Sequence, residues 1–212
     1  MKNRFLLFIL FTLGLTLSLF AFCDIFKKTN PATYDKGVVI NGVRWATRNV
    51  DEPGTFAQKP ESAGKFYQWN RKKAYFIPKG DGTDWNDTIP EGKKWKKPND
   101  PSPKDWRVPT LDEIKSLLDE EKVSSKWIAK NGVKGRKFTD RESGNTLFLP
   151  AVGCLYFAFG TLDHANIRAS YWTSTPHEKH EGCAYYCYSF DYLAHWHYEH
   201  RCSGHNIRCV AE

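Results

Sequence analysis

Val38-Val39-Ile40-Asn41-Gly42-Val43-Arg44-Trp45-Ala46 reads as strand, two-residue turn, strand. Asn-Gly between apolar runs is a strong hairpin signal, because both residues accept the left-handed backbone that a tight, correctly twisted turn requires. Downstream of this hairpin, residues 51–60 read as loop and Phe66-Tyr67-Gln68-Trp69 as a short buried segment. Residues 77–105 are rich in Pro, Gly, Asp and Lys and read as a long surface excursion. Its expected anchors are Trp85, Ile89, Trp95 and Trp106. A helix is predicted from Thr110: Thr110 and Glu113 form a capping box behind Pro109, and Leu111, Ile114, Leu117 and Leu118 share one face. Residues 120–145 read as a polar connection with a short helix around Trp127, and Leu147 to Gly153 as a buried strand ending in a turn.

Upstream, Lys2 and Arg4 precede an apolar run from Phe5 to Phe22, the layout of a secretory signal. A retained membrane anchor is the rival, since eighteen residues is the short limit for a span. The expected division is a signal peptide over residues 1–22, a polar tether over 23–36 and one folded domain over 37–212. The length of 212 residues suits one domain, and 41% apolar with 15% aromatic residues is a globular composition. Eight Trp and fourteen Phe against one Met predict a core built on rings.

The formal charge of +7 falls by two when Lys2 and Arg4 leave with the signal, and so modest an excess does not imply nucleic acid. Arg71-Lys72-Lys73 and Lys93-Lys94-Trp95-Lys96-Lys97 read as solvated loops. Cysteines stand at 23, 154, 183, 187, 202 and 209, and export permits disulfides among them. Their spacings do not give the two tight pairs that structural zinc favours.

From Tyr171 onward the composition changes. This segment holds one lysine, Lys179, and its aliphatic β-branched or Leu residues are Leu193, Ile207 and Val210. It holds His177, His180, His195, His197, His200 and His205, six of the seven histidines, among many tyrosines. Such side chains offer a ring face and a hydrogen-bonding tip at low entropy cost, as in antibody paratopes. The candidate ligand-binding residues are therefore His177, His180, Tyr186, Tyr188, Tyr192, His195, His197, Tyr198, His200 and His205. Cross-strand packing is the competing role for the strand tyrosines. His195-x-His197-x-x-His200 also places two imidazoles on one strand face, a geometry open to zinc or copper. The flanks offer no orienting carboxylate beyond Glu199, so no metal site, cofactor or catalysis is expected. Substitutions at Trp45, Trp106 or Leu117 should unfold the domain, whereas those at Tyr198 or His200 should leave it stable.

The stretch from Asn41 to Val50 resembles the opening signature of the Fibrobacter succinogenes major paralogous domain family of gut Bacteroidetes. Collinear resemblances follow at residues 64–70, 84–90 and 100–110, at Leu147 to Ala151, at Tyr171 to Pro176 and at Gly204 to Val210. The resemblance implies an α+β, C-type-lectin-like fold, with short helices packed on small antiparallel sheets and the N- and C-terminal strands adjacent. Some similar proteins are targets of diversity-generating retroelements, which scatter adenine-rich Asn codons into Tyr, His, Asp, Ser and related residues on the ligand-binding face. The segment after Pro176 looks like such a scatter between framework residues Trp196, Arg201, Gly204 and Arg208, with Glu178, Lys179, Glu181 and Glu199 outside the simplest codon route. The implied partner is a protein or glycan on another cell or phage. Leu19-Phe20-Ala21-Phe22-Cys23 has the layout of a bacterial lipoprotein signal, although Phe22 stands where such signals carry a small residue; the expected place is the cell surface or outer membrane through a lipid on Cys23, otherwise the periplasm or the medium. Relatives often carry Cys where this chain has Ser102; the resemblance implies that Cys209 has lost a partner there, with Cys154 or Cys202 as substitutes. Trp85-Asn86-Asp87 invites a calcium-lectin reading but lacks a Glu-Pro-Asn partner.

Overall fold

A computed structural model describes residues 30–76 and 84–212. The signal expected over 1–22, Cys23 and the first part of the expected tether lie outside the described residues. Residues 31–36, read as the end of that tether, are fastened to the domain. Phe56 N–H donates to Ala32 O at 2.6 Å, and the buried Asp35 carboxylate accepts from Gly37 N, Thr47 Oγ1 and Arg48 Nε.

The strands are, in chain order, β1 (Val38–Ile40), β2 (Val43–Trp45), β3 (Phe66–Tyr67), β4 (Ala74–Tyr75) and β5 (Trp106–Arg107). The helix α1 (Leu111–Leu117) follows, then β6 (Val123–Lys130), β7 (Val133–Asp140), β8 (Thr146–Pro150), β9 (Cys154–Leu155) and β10 (Leu162–Asp163). The last four are β11 (Ala169–Pro176), β12 (Cys183–Ser189), β13 (Ala194–His200) and β14 (Val210–Ala211). They form small sheets ordered β1-β2-β14-β5, β6-β7-β8 and β11-β12-β13, with the pairs β3-β4 and β9-β10.

This corrects the expected fold class. The chain is nearly all β among its described residues, and its α-helix has only seven residues, so there is no layer of short helices packed on the sheets. The largest departure is at Trp127, where the short helix is replaced by the β6–β7 hairpin. Asn131 and Gly132, at φ 49° and 82°, turn it as Asn41 and Gly42 (45° and 77°) turn β1–β2. β6 is an edge strand with little burial, so its sequence lacks the apolar alternation that marks a strand. At Gly135 in β7 a Cβ would lie 2.4 Å from Leu149 O, so only glycine lets β7 and β8 approach there.

Helix α1 begins as its sequence demands. Thr110 Oγ1 accepts from Glu113 N–H, and Glu113 Oε2 accepts from Thr110 N–H at 2.7 Å. Arg107 grips the same carboxylate with both terminal nitrogens, at 2.8 and 2.6 Å. So short a helix is marginal by itself. Burial of Leu111, Ile114 and Leu117, at about 1.5–3 kcal/mol each, holds it.

Two large clusters, with a smaller third at Phe66, Tyr75 and Leu155, fill the interior of the described residues. One is built on rings: Trp69 meets Trp95 edge-on at 5.5 Å, and Phe56 meets Trp106 at 5.8 Å, with Trp172 and Tyr67 between them. The other mixes Ile40, Ile114, Leu117, Leu147 and Leu149 with Trp45 and Tyr171. In the long excursion, Trp85 stacks on Tyr75 at 4.8 Å and donates to Phe157 O, and Trp95 and Trp106 enter the ring cluster. Ile89, expected as a fourth anchor, is exposed.

Candidate functional site

β12 is the centre of its sheet and β13 an outer edge. Phe190 N–H donates to Leu193 O and closes the hairpin; the register then pairs Tyr188 with His195, Tyr186 with His197 and Tyr185 with Tyr198. Cross-strand partners share a face. One face carries Cys187, Ala194 and Trp196 onto the cluster beside α1, and the other carries Ala184 and Tyr186 onto the ring cluster. β12 is therefore covered on both faces, and exposure falls on β13 and the two turns.

The ten candidate residues divide accordingly. His180, Tyr192, His195, His197 and His200 are exposed, Tyr192 by 75%. His177, Tyr188 and Tyr198 are half-buried. Tyr198 carries a small ring cluster, with His177 at 4.3 Å and His180 stacked at 5.0 Å. Tyr185, not among the candidates, adjoins it and donates its hydroxyl to Glu178 at 2.8 Å, which holds that carboxyl below its ordinary range.

Tyr186 and His205 belong to the interior, which corrects their place on the surface. Tyr186 is 6% exposed and His205 fully buried. The His205 ring stacks on Tyr186 at 4.7 Å and meets Trp172 edge-on at 4.3 Å, and its backbone bonds Tyr67 in both directions. Burial, then the nearby Arg168 guanidinium, holds this imidazole neutral with its pKa well below the ordinary value.

The hairpin's outer turn rests on a residue that sequence reading passed over. Arg136 of β7 is buried, and its Nη2 donates to the carbonyls of Phe190, Asp191 and Leu193, while Nη1 donates to Ser125 Oγ. Three carbonyl oxygens of the turn that presents Tyr192 are thus held by one guanidinium, itself anchored on Ser125 of β6. Tyr192 lies flat against Phe190, ring planes 5° apart at 5.5 Å. The loop after β9 was also missed. Tyr156 and Phe159 are exposed on it, and Phe157 lies 4.6 Å from the His200 ring. Its signal was the aromatic run Tyr156-Phe157-Ala158-Phe159 between Gly153 and Gly160.

A cavity of about 960 Å³ opens at the other end of the hairpin, between Ile89–Lys93 and Pro176–Gly182. Arg201 braces it, donating to Cys183 O, Pro90 O and Gly92 O with its guanidinium 4.4 Å above Trp69. Among the described residues no three His, Cys, Asp or Glu side chains gather as a metal site. The five described cysteines are free, and Cys209 donates its thiol to Ser102 Oγ at 3.1 Å.

The Lcl C-terminal domain family matches residues 63–211. The chain belongs to this family. It is a family of Fibrobacter paralogous domains. The match takes in every strand from β3 to β14 and the whole hairpin, and starts after β2, the strand on which Val210 pairs with Trp45. No curated protein and no solved structure matches the chain.

Proposed function

We propose that this member of the Lcl C-terminal domain family is an exported, receptor- or adhesin-like ligand-binding protein. Its contact surface is the outer edge of the β12–β13 hairpin with the neighbouring turns. The observation that carries the reading is the division within one Tyr/His-rich segment: Tyr192, His195, His197 and His200 are exposed on a hairpin whose inner rings and supporting arginines are buried. Exposed ring-bearing side chains on a braced scaffold lose little entropy on contact, which suits binding more than catalysis. The ligand is a protein or glycan of another cell or phage, and the chain reaches it from the cell surface, through a lipid on Cys23 or after secretion.

The exposed positions are also the ones a diversity-generating retroelement would rewrite. On this reading Tyr192, His195, His197 and His200 vary between cells, while Tyr186 and His205 stay fixed, because a change there opens the core. Deep sequencing of the gene's 3′ end across the host population tests it. Variation at the exposed positions, with a near-copy and a reverse transcriptase gene nearby, supports diversification. Variation that falls equally on positions 186 and 205 overturns it, and a uniform sequence leaves a binding protein with one fixed ligand.

A further inference from the structure

The Tyr/His segment contains two pairs of neighbouring histidines, 177/180 and 195/197, and backbone contacts distinguish the neutral tautomer of His177 from those of His195 and His197. His177 Nδ1 lies 3.1 Å from the N–H groups of both Lys179 and His180. Amide nitrogens there donate, so Nδ1 of His177 accepts, and its neutral ring carries hydrogen on Nε2. His195 Nδ1 lies 2.6 Å from Trp196 O, and His197 Nδ1 lies 2.9 Å from Tyr198 O. A carbonyl oxygen can only accept, so the neutral form of each ring carries its hydrogen on Nδ1 and its lone pair on Nε2.

Those carbonyls lie on the open side of the sheet. The hydrogen-bonded pairs of the hairpin are 188/195, 186/197 and 184/199, so the intervening residues of β13 turn their backbone outward. Both rings consequently sit on the exposed edge. They are two residues apart on one strand face, about 6.7 Å along the chain. Two imidazoles at that spacing can lean onto one ion about 2.0–2.1 Å from each nitrogen. The Nδ1–H to carbonyl bond is the support that metal-bound imidazoles ordinarily have, since it fixes the ring and raises the basicity of the other nitrogen.

We infer that His195 and His197 form a two-histidine chelate for a borderline divalent cation, binding through both Nε2 atoms, with water in the remaining positions. Imidazole nitrogen suits Cu²⁺, Ni²⁺ and Zn²⁺, and Cu²⁺ binds tightest in this series. Because no third His, Cys, Asp or Glu joins the pair among the described residues, the site stays open to an outside ligand. The assignment does not rest on the ligand-binding reading of the same edge, and the metal alone is the probe, so either fails without the other.

The test is calorimetric titration of the untagged full chain with Cu²⁺, with electron paramagnetic resonance on the 1:1 complex. One saturable site with nitrogen coupling from two imidazoles is expected. His195→Gln and His197→Gln should each weaken binding on the order of tenfold or more and leave the melting temperature unchanged. His177→Ala, His180→Ala and His200→Ala should leave the affinity as it was. A chain that binds no Cu²⁺ saturably overturns the inference. So does binding that survives the double variant His195→Gln/His197→Gln, or that is lost with His177→Ala.

Discussion

β13 and the ten residues that follow it are written in the same alphabet and end in opposite environments. Residues 194–200 include three histidines and a tyrosine and form a mostly open edge. Residues 201–210 include two arginines, a histidine, an asparagine and two cysteines, and all ten are buried. The difference lies in what meets the backbone. The second stretch threads between elements: Arg201 O accepts from Trp69, Gly204 bonds Leu155 in both directions, Asn206 O accepts from Trp172, and Ile207 O and Cys209 O accept from Val50 and Ala46. Outward groups of β13 are met by neighbouring side chains or the next turn, as when Glu199 Oε1 accepts from His200 N–H and His200 O accepts from Ser203 N–H. Buried backbone groups are tolerated where partners exist, so burial here follows the backbone's partners and not the residue types; the His205 ring nitrogens and Asn206 Oδ1 are buried without a hydrogen-bond partner.

The largest effect should come from the buried stretch. Arg208 is an interior cation whose acceptors are neutral: Nε and Nη2 donate to Asn49 Oδ1 at 3.0 and 2.7 Å, and Nη1 donates to Ala46 O. Asn49→Ala leaves that charge with one acceptor and should cost about 3–5 kcal/mol in urea unfolding at unchanged slope. A loss below about 1 kcal/mol would show the interior at Arg208 to be wet, and the contrast with β13 would collapse.

The same stretch offers a gain. Cys209 Sγ and Ser102 Oγ are 3.1 Å apart across 107 residues of chain, so a thiol at 102 needs only a small shift to bond. Ser102→Cys, made in an oxidising compartment, should form a disulfide and stabilise by about 2–4 kcal/mol, lost on reduction. Because the bond ties the buried stretch and not the hairpin, ligand and metal binding should not change.

Acid separates the two regions next. The folded pKa of His205 is depressed, so the unfolded chain takes up its proton first. Its contribution is whole above the ordinary histidine value of 6.5 and shrinks as pH falls below it, by up to about 1.4 kcal/mol per unit. His205→Phe keeps a ring against Tyr186 and should flatten stability between pH 6.5 and 4.5. The window lies above the titration of Asp140, whose carboxyl, held at about 2 by Ser143 and Asn41 N–H donors, loses its contribution as pH falls from 3.8. A wild-type profile already flat from pH 6.5 to 4.5 would mean that His205 is protonated inside.

Local signals made part of this legible beforehand. Asn41-Gly42, the Thr110/Glu113 box and the Leu147–Pro150 strand each depend on neighbours a few residues apart, and each formed. What stayed hidden depends on distance or on polarity. β6 is too polar to look like a strand, although Asn131-Gly132 carried the same turn signal as the first hairpin. Arg136 finds the turn carbonyls 54 to 57 residues away, which no spacing encodes. Tyr186 and His205 share the composition of the exposed positions and were separable only by the partners described above. Within the candidate surface, alternation along β12 located the strand but not that both of its faces are covered, one by the ring cluster and the other by the cluster beside α1.

The smallest effect is the sharpest test of the surface. Tyr192 and His200 are exposed, and removing their side chains leaves no buried donor or cavity. Tyr192→Ala and His200→Ala should each stay within about 0.5 kcal/mol of the parent. Tyr186→Ala, six residues before Tyr192 and of identical chemistry, should cost about 3 kcal/mol, because it removes the ring on which His205 stacks and leaves a cavity beside Trp172. The pair of tyrosines is decisive because sequence treats them alike. If Tyr192→Ala melts the domain as Tyr186→Ala does, the hairpin edge is packed in solution against something, and its side chains are core rather than contact surface.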